Sequence, residues 1–155
     1  MLEGTHYQNG YICDDIDAAI AVFKTRGLDK DPYVIEVEQE VNTPSGPKKQ
    51  QMKISMFWIG GVQYELIQPI LDEVEVYANA PANGGPMRFH HTCQRVDDWD
   101  SFRARVDEQD LPVVMERDLG PDKLRFIYLD GRKAFGHYLE YTQMSDAMWE
   151  MTKGM

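Results

Sequence analysis

Two segments of the chain place a possible metal ligand at the same distance before an acidic cluster. Gln8 lies seven residues before Asp15, and His91 lies seven residues before Asp98. Each aspartate is the middle one of an Asp-Asp-apolar-Asp sequence that opens a helix-like stretch. A unit that occurs twice and is too short to be stable alone predicts two halves joined around a shared interface.

Each segment also leads to a glutamate at the centre of a strand-like run. Glu65 lies within residues 63–67, and Glu140 lies within residues 138–142. Alternate residues of a strand face opposite sides of the sheet. The apolar neighbours would therefore face a covering helix, and the glutamates would face the other way. A carboxylate in the middle of a sheet is costly unless it is paired or bound to a metal. The pattern predicts one interface with four ligands for a divalent metal: Gln8, Glu65, His91 and Glu140.

Both halves show the same order of predicted elements, β-α-β-β-β. In the first half, a strand at 6–13 leads to a helix capped by Asp14 or Asp15 and ended by Gly27. Strands then follow at 33–38, 51–59 and 62–68, with a solvent loop at 42–50. The second half repeats this with a strand at 88–96, a helix from Asp97 or Asp98, and strands at 111–116, 124–130 and 136–142.

These elements predict an α+β fold with one domain over residues 1–155. Two tandem modules, 5–70 and 87–143, would form a cupped mixed sheet around a central cleft. Residues 71–86 would be the linker, because its second part contains two Pro and two Gly. The Met-rich tail at 144–155 is typical of a helix used for packing or for a dimer contact.

Composition excludes several classes of partner. The formal net charge of −10 and the pI near 4.7 argue against nucleic acid and against an anionic membrane surface. No apolar run approaches the roughly 20 residues that span a bilayer, and the first residues lack signal-peptide features. The two cysteines, Cys13 and Cys93, suit a reducing compartment. A cytoplasmic protein is expected.

The same motifs resemble the vicinal oxygen chelate superfamily, which includes glyoxalase, methylmalonyl-CoA epimerase, extradiol dioxygenases and bleomycin-resistance proteins. The resemblance covers about residues 5–143 and is carried by the two acidic openings, the strand at 63–67, the His90-His91 pair and the strand at 136–141. It implies two modules around a metal cleft with ligands at Gln8, Glu65, His91 and Glu140, and it implies a homodimer.

The first ligand position departs from the family pattern, which commonly has His where this chain has Gln8. An amide oxygen suits hard cations, and the expected cofactor is a divalent ion: Mg, Mn, Co, Ni or Zn. His6 is on the same predicted face, but two residues along a strand is about 6.6 Å. Whether His6 replaces Gln8 therefore stays open.

Three functions are compatible with the resemblance. The first is a metal-dependent lyase, isomerase or epimerase that acts on a small carbonyl-containing substrate through an enediolate-type intermediate, with Glu140 or Glu65 as the base. The second is a non-catalytic protein that sequesters a small organic molecule. The third is an extradiol-type dioxygenase, which normally needs two His and one carboxylate. Gln8 weighs against the third.

Overall fold

The computed structural model describes residues 3–80 and 82–154, and strands dominate it. The elements are β1 (Thr5–Cys13), α1 (Ile16–Lys24), β2 (Val34–Thr43), β3 (Gly46–Ile59), β4 (Val62–Asp72), a 3-10 turn (Tyr77–Asn79), β5 (Met87–Arg95), α2 (Trp99–Val106), β6 (Val113–Asp118), β7 (Leu124–Leu129), α3 (Arg132–Phe135), β8 (Tyr138–Met144) and α4 (Asp146–Lys153). In this part of the chain no helix has the length and apolar character needed to cross a membrane.

The eight strands close into one barrel in the order β1-β4-β3-β2-β6-β7-β8-β5. The α+β class is therefore as expected, and the predicted cupped mixed sheet closes into a barrel. The closing seam is slight, since β2 and β6 have one aligned pair, Asn42 and Glu116. Beside it, Arg117 Nη1 donates to Gln39 Oε1 over 3.1 Å. On the opposite side, β1 and β5 pair along most of their length.

Strand register places the predicted site residues at matching levels. Gly10 of β1 is aligned with Glu65 of β4 and with His91 of β5. Cys93 of β5 is aligned with Glu140 of β8 and with Gln8 of β1. Gln8 and His91 therefore hold equivalent places beside the β1–β5 junction, and so do the two glutamates.

The helices cover the outer face of the barrel. Asp15 caps α1 by accepting hydrogen bonds from two backbone amides, and Asp98 caps α2 in the same way through one amide. Leu66 packs under α1 and Leu139 under α2, while their strand neighbours face inward. Since alternate residues of a strand face opposite sides, the helix contacts turn Glu65 and Glu140 toward the barrel interior.

Apolar side chains fill much of that interior. One buried cluster contains residues from seven of the strands. Its members include Ile12, Met52, Ile67, Phe126 and Tyr128. A smaller cluster joins Tyr7 and Cys93 to Trp149 of α4. The Trp58 indole Nε1 donates to the carbonyl oxygen of Thr152 over 2.6 Å, which fastens α4 to the barrel.

The segment at 42–50 is not the predicted solvent loop. β2 and β3 form a long hairpin that pairs Thr43 with Gly46, and only residues 44–45 lie outside the ladder. Gly46 has a φ of 105°, which allows this tight reversal. The strands predicted at 33–38 and 51–59 are the far ends of this hairpin. Only its extension through 39–50 escaped prediction, because Pro44, Gly46, Pro47 and two lysines there suggested a loop.

Candidate metal centre

Three of the four predicted ligands meet inside the barrel. The Nε2 atom of His91 lies 3.1 Å from Glu140 Oε2 and 3.3 Å from Glu65 Oε2. One donor atom from each residue lies within 4.8 Å of the others. The His91 side chain is fully buried, while the carboxylate side chains are 12% exposed for Glu65 and 11% for Glu140. The cluster is therefore enclosed on the histidine side and reachable on the carboxylate side.

The spacing of these donors fits a divalent cation. Two ligands about 2.1 Å from one ion are about 3.0 Å apart in octahedral geometry and about 3.4 Å apart in tetrahedral geometry. The two nitrogen–oxygen distances of 3.1 and 3.3 Å fall within that interval. Two carboxylates also supply the negative charge that a buried divalent ion needs. The residues present therefore fit the metal that the fold implies.

Gln8 lies two residues before Gly10 on β1, where it is aligned with Cys93, the β5 residue next to Glu140 in the ladder. Its side chain is buried, and Nε2 donates to Gln63 Oε1 over 2.9 Å and contacts Met56 Sδ at 3.9 Å. Because these contacts occupy the amide nitrogen, the carbonyl oxygen is the atom of Gln8 left for a cation. Its role as a fourth ligand stays a prediction.

His6 does not take the place of Gln8. The His6 side chain is exposed, and its Nε2 lies 3.1 Å from the Gln8 backbone oxygen and 3.1 Å from Asn9 Oδ1. The register of β1 against β5 shifts between His6 and Gln8, so that Tyr7 is an extra residue in the ladder. This bulge turns the Tyr7 side chain into the barrel, where its hydroxyl lies 3.1 Å from Thr142 Oγ1.

The other ring nitrogen of His91, Nδ1, contacts His90, a residue whose orientation the sequence pattern predicts wrongly. Strand alternation predicts that His90 and His91 face opposite sides, yet their Nδ1 atoms lie 2.9 Å apart. A second register shift, in which Gly10 pairs with His91 but Tyr11 pairs with Phe89, makes His90 the extra residue. The bulge brings both rings inward. His90 Nε2 then lies 3.0 Å from the Val76 carbonyl oxygen.

Burial and the two carboxylates set opposite pKa shifts on the adjacent histidines. Burial alone would lower the pKa of His91, but hydrogen bonds to Glu140 and Glu65 outweigh it and raise that pKa to about 9. Burial lowers the pKa of His90 to about 3, aided by the charge on His91. Burial also raises the pKa of Glu65, although the bond to His91 opposes it. In the absence of a metal, His91 is therefore protonated, and its positive charge and hydrogen bonds hold the two carboxylates together.

A glycine makes room for the His91 ring. A Cβ atom at Gly10 would lie 1.8 Å from His91 Cε1 and 2.2 Å from His91 Nε2. Gly10 is the β1 residue aligned with both Glu65 and His91, so a larger side chain there would push the imidazole out of the cluster. The requirement is for space in the barrel, and the sequence alone did not reveal it.

Comparison with known proteins agrees with this architecture. The model of the glyoxalase/bleomycin resistance protein/dioxygenase superfamily matches residues 7–128. The match covers more than half of the chain, and the chain belongs to this superfamily. The resemblance to vicinal oxygen chelate proteins is thereby confirmed. A search of curated proteins by sequence gave no significant match.

Several solved structures share the fold at low sequence identity. A methylmalonyl-CoA epimerase from Mycobacterium tuberculosis is 19% identical, with a TM-score of 0.59 and 97% of each chain covered. A Streptomyces coelicolor methylmalonyl-CoA epimerase in complex with 2-nitronate-propionyl-CoA is 18% identical, with a TM-score of 0.57, over 92% of this chain and 98% of that one. A hypothetical protein from Bacillus halodurans is 18% identical, with a TM-score of 0.59, over 92% and 95%.

Replacing Gly10 by Ala should disrupt the cluster. The added Cβ overlaps the His91 ring, so we expect a loss of about 1–3 kcal/mol of stability and a clear loss of divalent-metal affinity. Thermal unfolding and calorimetric metal titration measure the two effects. Gly154→Ala is the control, since its Cβ would meet only the Met151 carbonyl oxygen at 3.5 Å. Equal metal affinity in both variants would show that His91 does not need this space.

The metal-free protein should lose stability as the pH rises from about 6.5 to about 9. The folded-state pKa of His91 is raised above its unfolded value of 6.5, so its contribution is complete below that pH and is lost on approaching 9. The free energy of unfolding should fall by at most about 3 kcal/mol, since each unit of pKa difference between the folded and unfolded states corresponds to about 1.4 kcal/mol. Glu65, Glu140, Tyr128 and His90 are the groups that face the ring.

Urea unfolding at several pH values measures this loss. A His91→Gln variant should show a much shallower slope over the same range, because it lacks the titrating ring. A wild-type stability that stays flat between pH 6.5 and 9 would contradict the raised pKa.

Proposed function

We propose that the protein is a metal-dependent lyase or isomerase of the glyoxalase and epimerase type, acting on a small carbonyl-containing substrate. The observation that supports this most directly is the convergence of Glu65 and Glu140 on one imidazole nitrogen inside the barrel. The solved epimerases with the same fold, one of them in complex with methylmalonyl-CoA, make this chemistry the natural comparison.

The reaction would begin with removal of a proton from the carbon next to the substrate carbonyl. A carboxylate of the cluster accepts this proton. The C–H electron pair forms a C=C bond to the carbonyl carbon, and the carbonyl π pair moves to oxygen, which gives an enediolate or enolate. The base is Glu140 or Glu65, whichever carboxylate the cation holds more loosely. In the metal-free protein burial raises the pKa of Glu65. Return of the proton to the other face, or to the adjacent carbon, gives an epimerase or an isomerase outcome.

Glu65, His91 and Glu140 would hold the cation, with the Gln8 carbonyl oxygen as a neutral fourth donor. When bound, a divalent ion supplies positive charge that polarises the substrate carbonyl and stabilises negative charge on its oxygen. Two carboxylates balance its charge, which leaves the site near neutral. The partial exposure of both carboxylates leaves a way in for substrate oxygens.

A cavity between the segment at 27–33 and β3 has the size for the rest of an organic substrate, although none of the four predicted ligands is among its lining residues. It encloses about 780 Å³, within the range of ligand pockets. Its apolar wall includes Ile35, Ile54 and Trp58. Met56 joins it to the cluster, since this residue lines the cavity, contacts Gln8 and is aligned with Glu65 across β3 and β4. We assign the apolar part of the substrate to this cavity.

Two further features belong to the same proposal. The matched strand order and register of the two halves support an origin as tandem modules, 5–70 and 87–143. A homodimer also stays a prediction. The Met-rich tail that suggested it partly packs within the chain, because Met148 lies against the barrel while Met151 is exposed.

Replacing Glu140 by Gln should abolish both metal binding and catalysis. The change removes one ligand charge, so metal affinity should fall by more than about 100-fold, the upper end for loss of an outer partner. Metal content and titration with Mg, Mn, Co, Ni and Zn measure the first effect. Uptake of deuterium from D₂O at the α-carbon of methylmalonyl-CoA and of a 2-oxoaldehyde hemithioacetal, followed by NMR, measures the second.

The matched control is Glu38→Gln, which removes one exposed carboxylate from β2 and should change neither quantity. If the wild-type protein and the Glu140 variant both hold no metal at saturating concentrations, the cluster is structural. The chain would then be a binding protein and not an enzyme of this type.

A charge placed in the cavity wall should weaken the binding of apolar ligands. Ile35 lines the cavity and Ile70 does not, while their exposed fractions are 47% and 49%. Ile35→Asp should therefore lower the affinity for the neutral probe N-phenyl-1-naphthylamine by about tenfold or more, since a charge in an apolar wall must be desolvated. Ile70→Asp should leave it unchanged. Equal fluorescence titrations for the two variants would remove the cavity from the proposal.

A further inference from the structure

The pair of histidines in β5 forms a chain of hydrogen bonds that runs from the backbone to the candidate metal centre. It begins at the Val76 carbonyl oxygen, 3.0 Å from His90 Nε2. It continues from His90 Nδ1 to His91 Nδ1 over 2.9 Å. It ends at His91 Nε2, which faces Glu65 and Glu140. Each contact has hydrogen-bond length, so the positions of the protons can be worked out from the first acceptor.

A carbonyl oxygen can only accept, and this fixes the proton on His90 Nε2. Two facing Nδ1 atoms at 2.9 Å hold one proton between them, so either His90 or His91 carries it. If His90 carried it, that ring would be a cation with no carboxylate partner among its contacts, which are the Val76 oxygen and aromatic rings such as Tyr138. His91 has two carboxylates beside it. The proton therefore belongs to His91 Nδ1.

We propose that His90 is a positioning residue, which holds a proton on His91 Nδ1 and so keeps Nε2 directed at the two carboxylates. Nε2 donates its proton to them in the metal-free protein and offers its lone pair when a metal takes the place of that proton. The role rests on the proposed function only where it concerns the metal. A neutral imidazole has one free lone pair, and a metal ligand usually donates its other ring N–H to an acceptor that fixes the ring. Here that acceptor is a second histidine, itself fixed by the backbone.

The surroundings of His90 keep the chain in place. The ring is 2% exposed and lies among the rings of Tyr77, Tyr128 and Tyr138, with centroid distances from 4.8 to 6.3 Å. The bulge at His90 is what brings its ring to the same side as His91. Rotation of either imidazole would break one hydrogen bond in a buried place, and this cost selects a single arrangement.

Two substitutions separate the ends of the chain. In His90→Asn, the amide oxygen reaches the place of Nδ1 and can still accept from His91, while contact with Val76 is lost. In His90→Gln, the longer amide reaches the place of Nε2 and can still donate to Val76, while the acceptor for His91 is lost. His137→Gln is the control, because His137 takes no part in this series of hydrogen bonds: its Nδ1 bonds the backbone oxygen of Tyr138.

Nitrogen-15 NMR of the wild-type protein should show His90 protonated at Nε2 and bare at Nδ1, with a hydrogen-bonded proton on His91 Nδ1. That proton signal should persist in His90→Asn and disappear in His90→Gln. Affinity for cobalt, with its absorption spectrum, should fall by roughly 10- to 100-fold in His90→Gln. It should stay within about threefold of the wild-type value in His90→Asn and in His137→Gln, by the same comparison with outer-shell partners.

The results separate this role from the proposed function. If His90 carries its proton at Nδ1, or if the Asn and Gln variants keep the His91 signal equally, the positioning role is wrong. If the proton signals behave as expected while no variant and not even the wild type binds cobalt, His90 still positions His91. In that case only the proposed metal-dependent reaction fails.

Discussion

The structure depends on two carboxylates that are held inside a barrel against one imidazole. Each carboxylate would be strongly unfavourable there without a positive partner, because burial costs a charged group several kcal/mol. His91 meets both, and the raised pKa of its ring reflects that demand. A divalent ion would satisfy the same two oxygens with a larger charge. The barrel therefore carries a built-in need for a cation at one point, and the surrounding elements keep the three side chains in place.

The rest of the fold serves this point through register. β1 and β5 run side by side at the centre, and each pairs on its other side with the strand that carries a glutamate. The outer helices press on the residues that flank those glutamates, which turns the carboxylates inward. Gly10 leaves the space into which the His91 ring fits. The helices packed outside the barrel and the local space at Gly10 inside it thus position the same three side chains.

Much of this could be predicted from the sequence, because periodic features carry the information. The spacing of Gln8 and His91 before the acidic caps, and the glutamates within apolar strands, predicted which side chains meet. Three of the four do so directly. The inward turn of His90 could not be predicted, since a bulge adds one residue to a strand without changing its composition. The two strands of the β2–β3 hairpin were predicted too short, because the Pro, Gly and Lys residues at 42–50 suggested a loop where the ladder continues.

Closure of the barrel at Asn42 and Glu116 has a kinetic consequence. The other seams are held by ladders of several residue pairs, whereas this one has, among the described residues, one aligned pair and the side-chain hydrogen bond from Arg117 to Gln39. Separation of β2 from β6 is therefore the least costly way to part the wall, and brief local openings concentrate where few backbone bonds must break. The Glu65–His91–Glu140 cluster and its exchange with solvent therefore depend on different parts of the same sheet: the β1–β5 side holds the side chains, and the β2–β6 seam is where the wall opens.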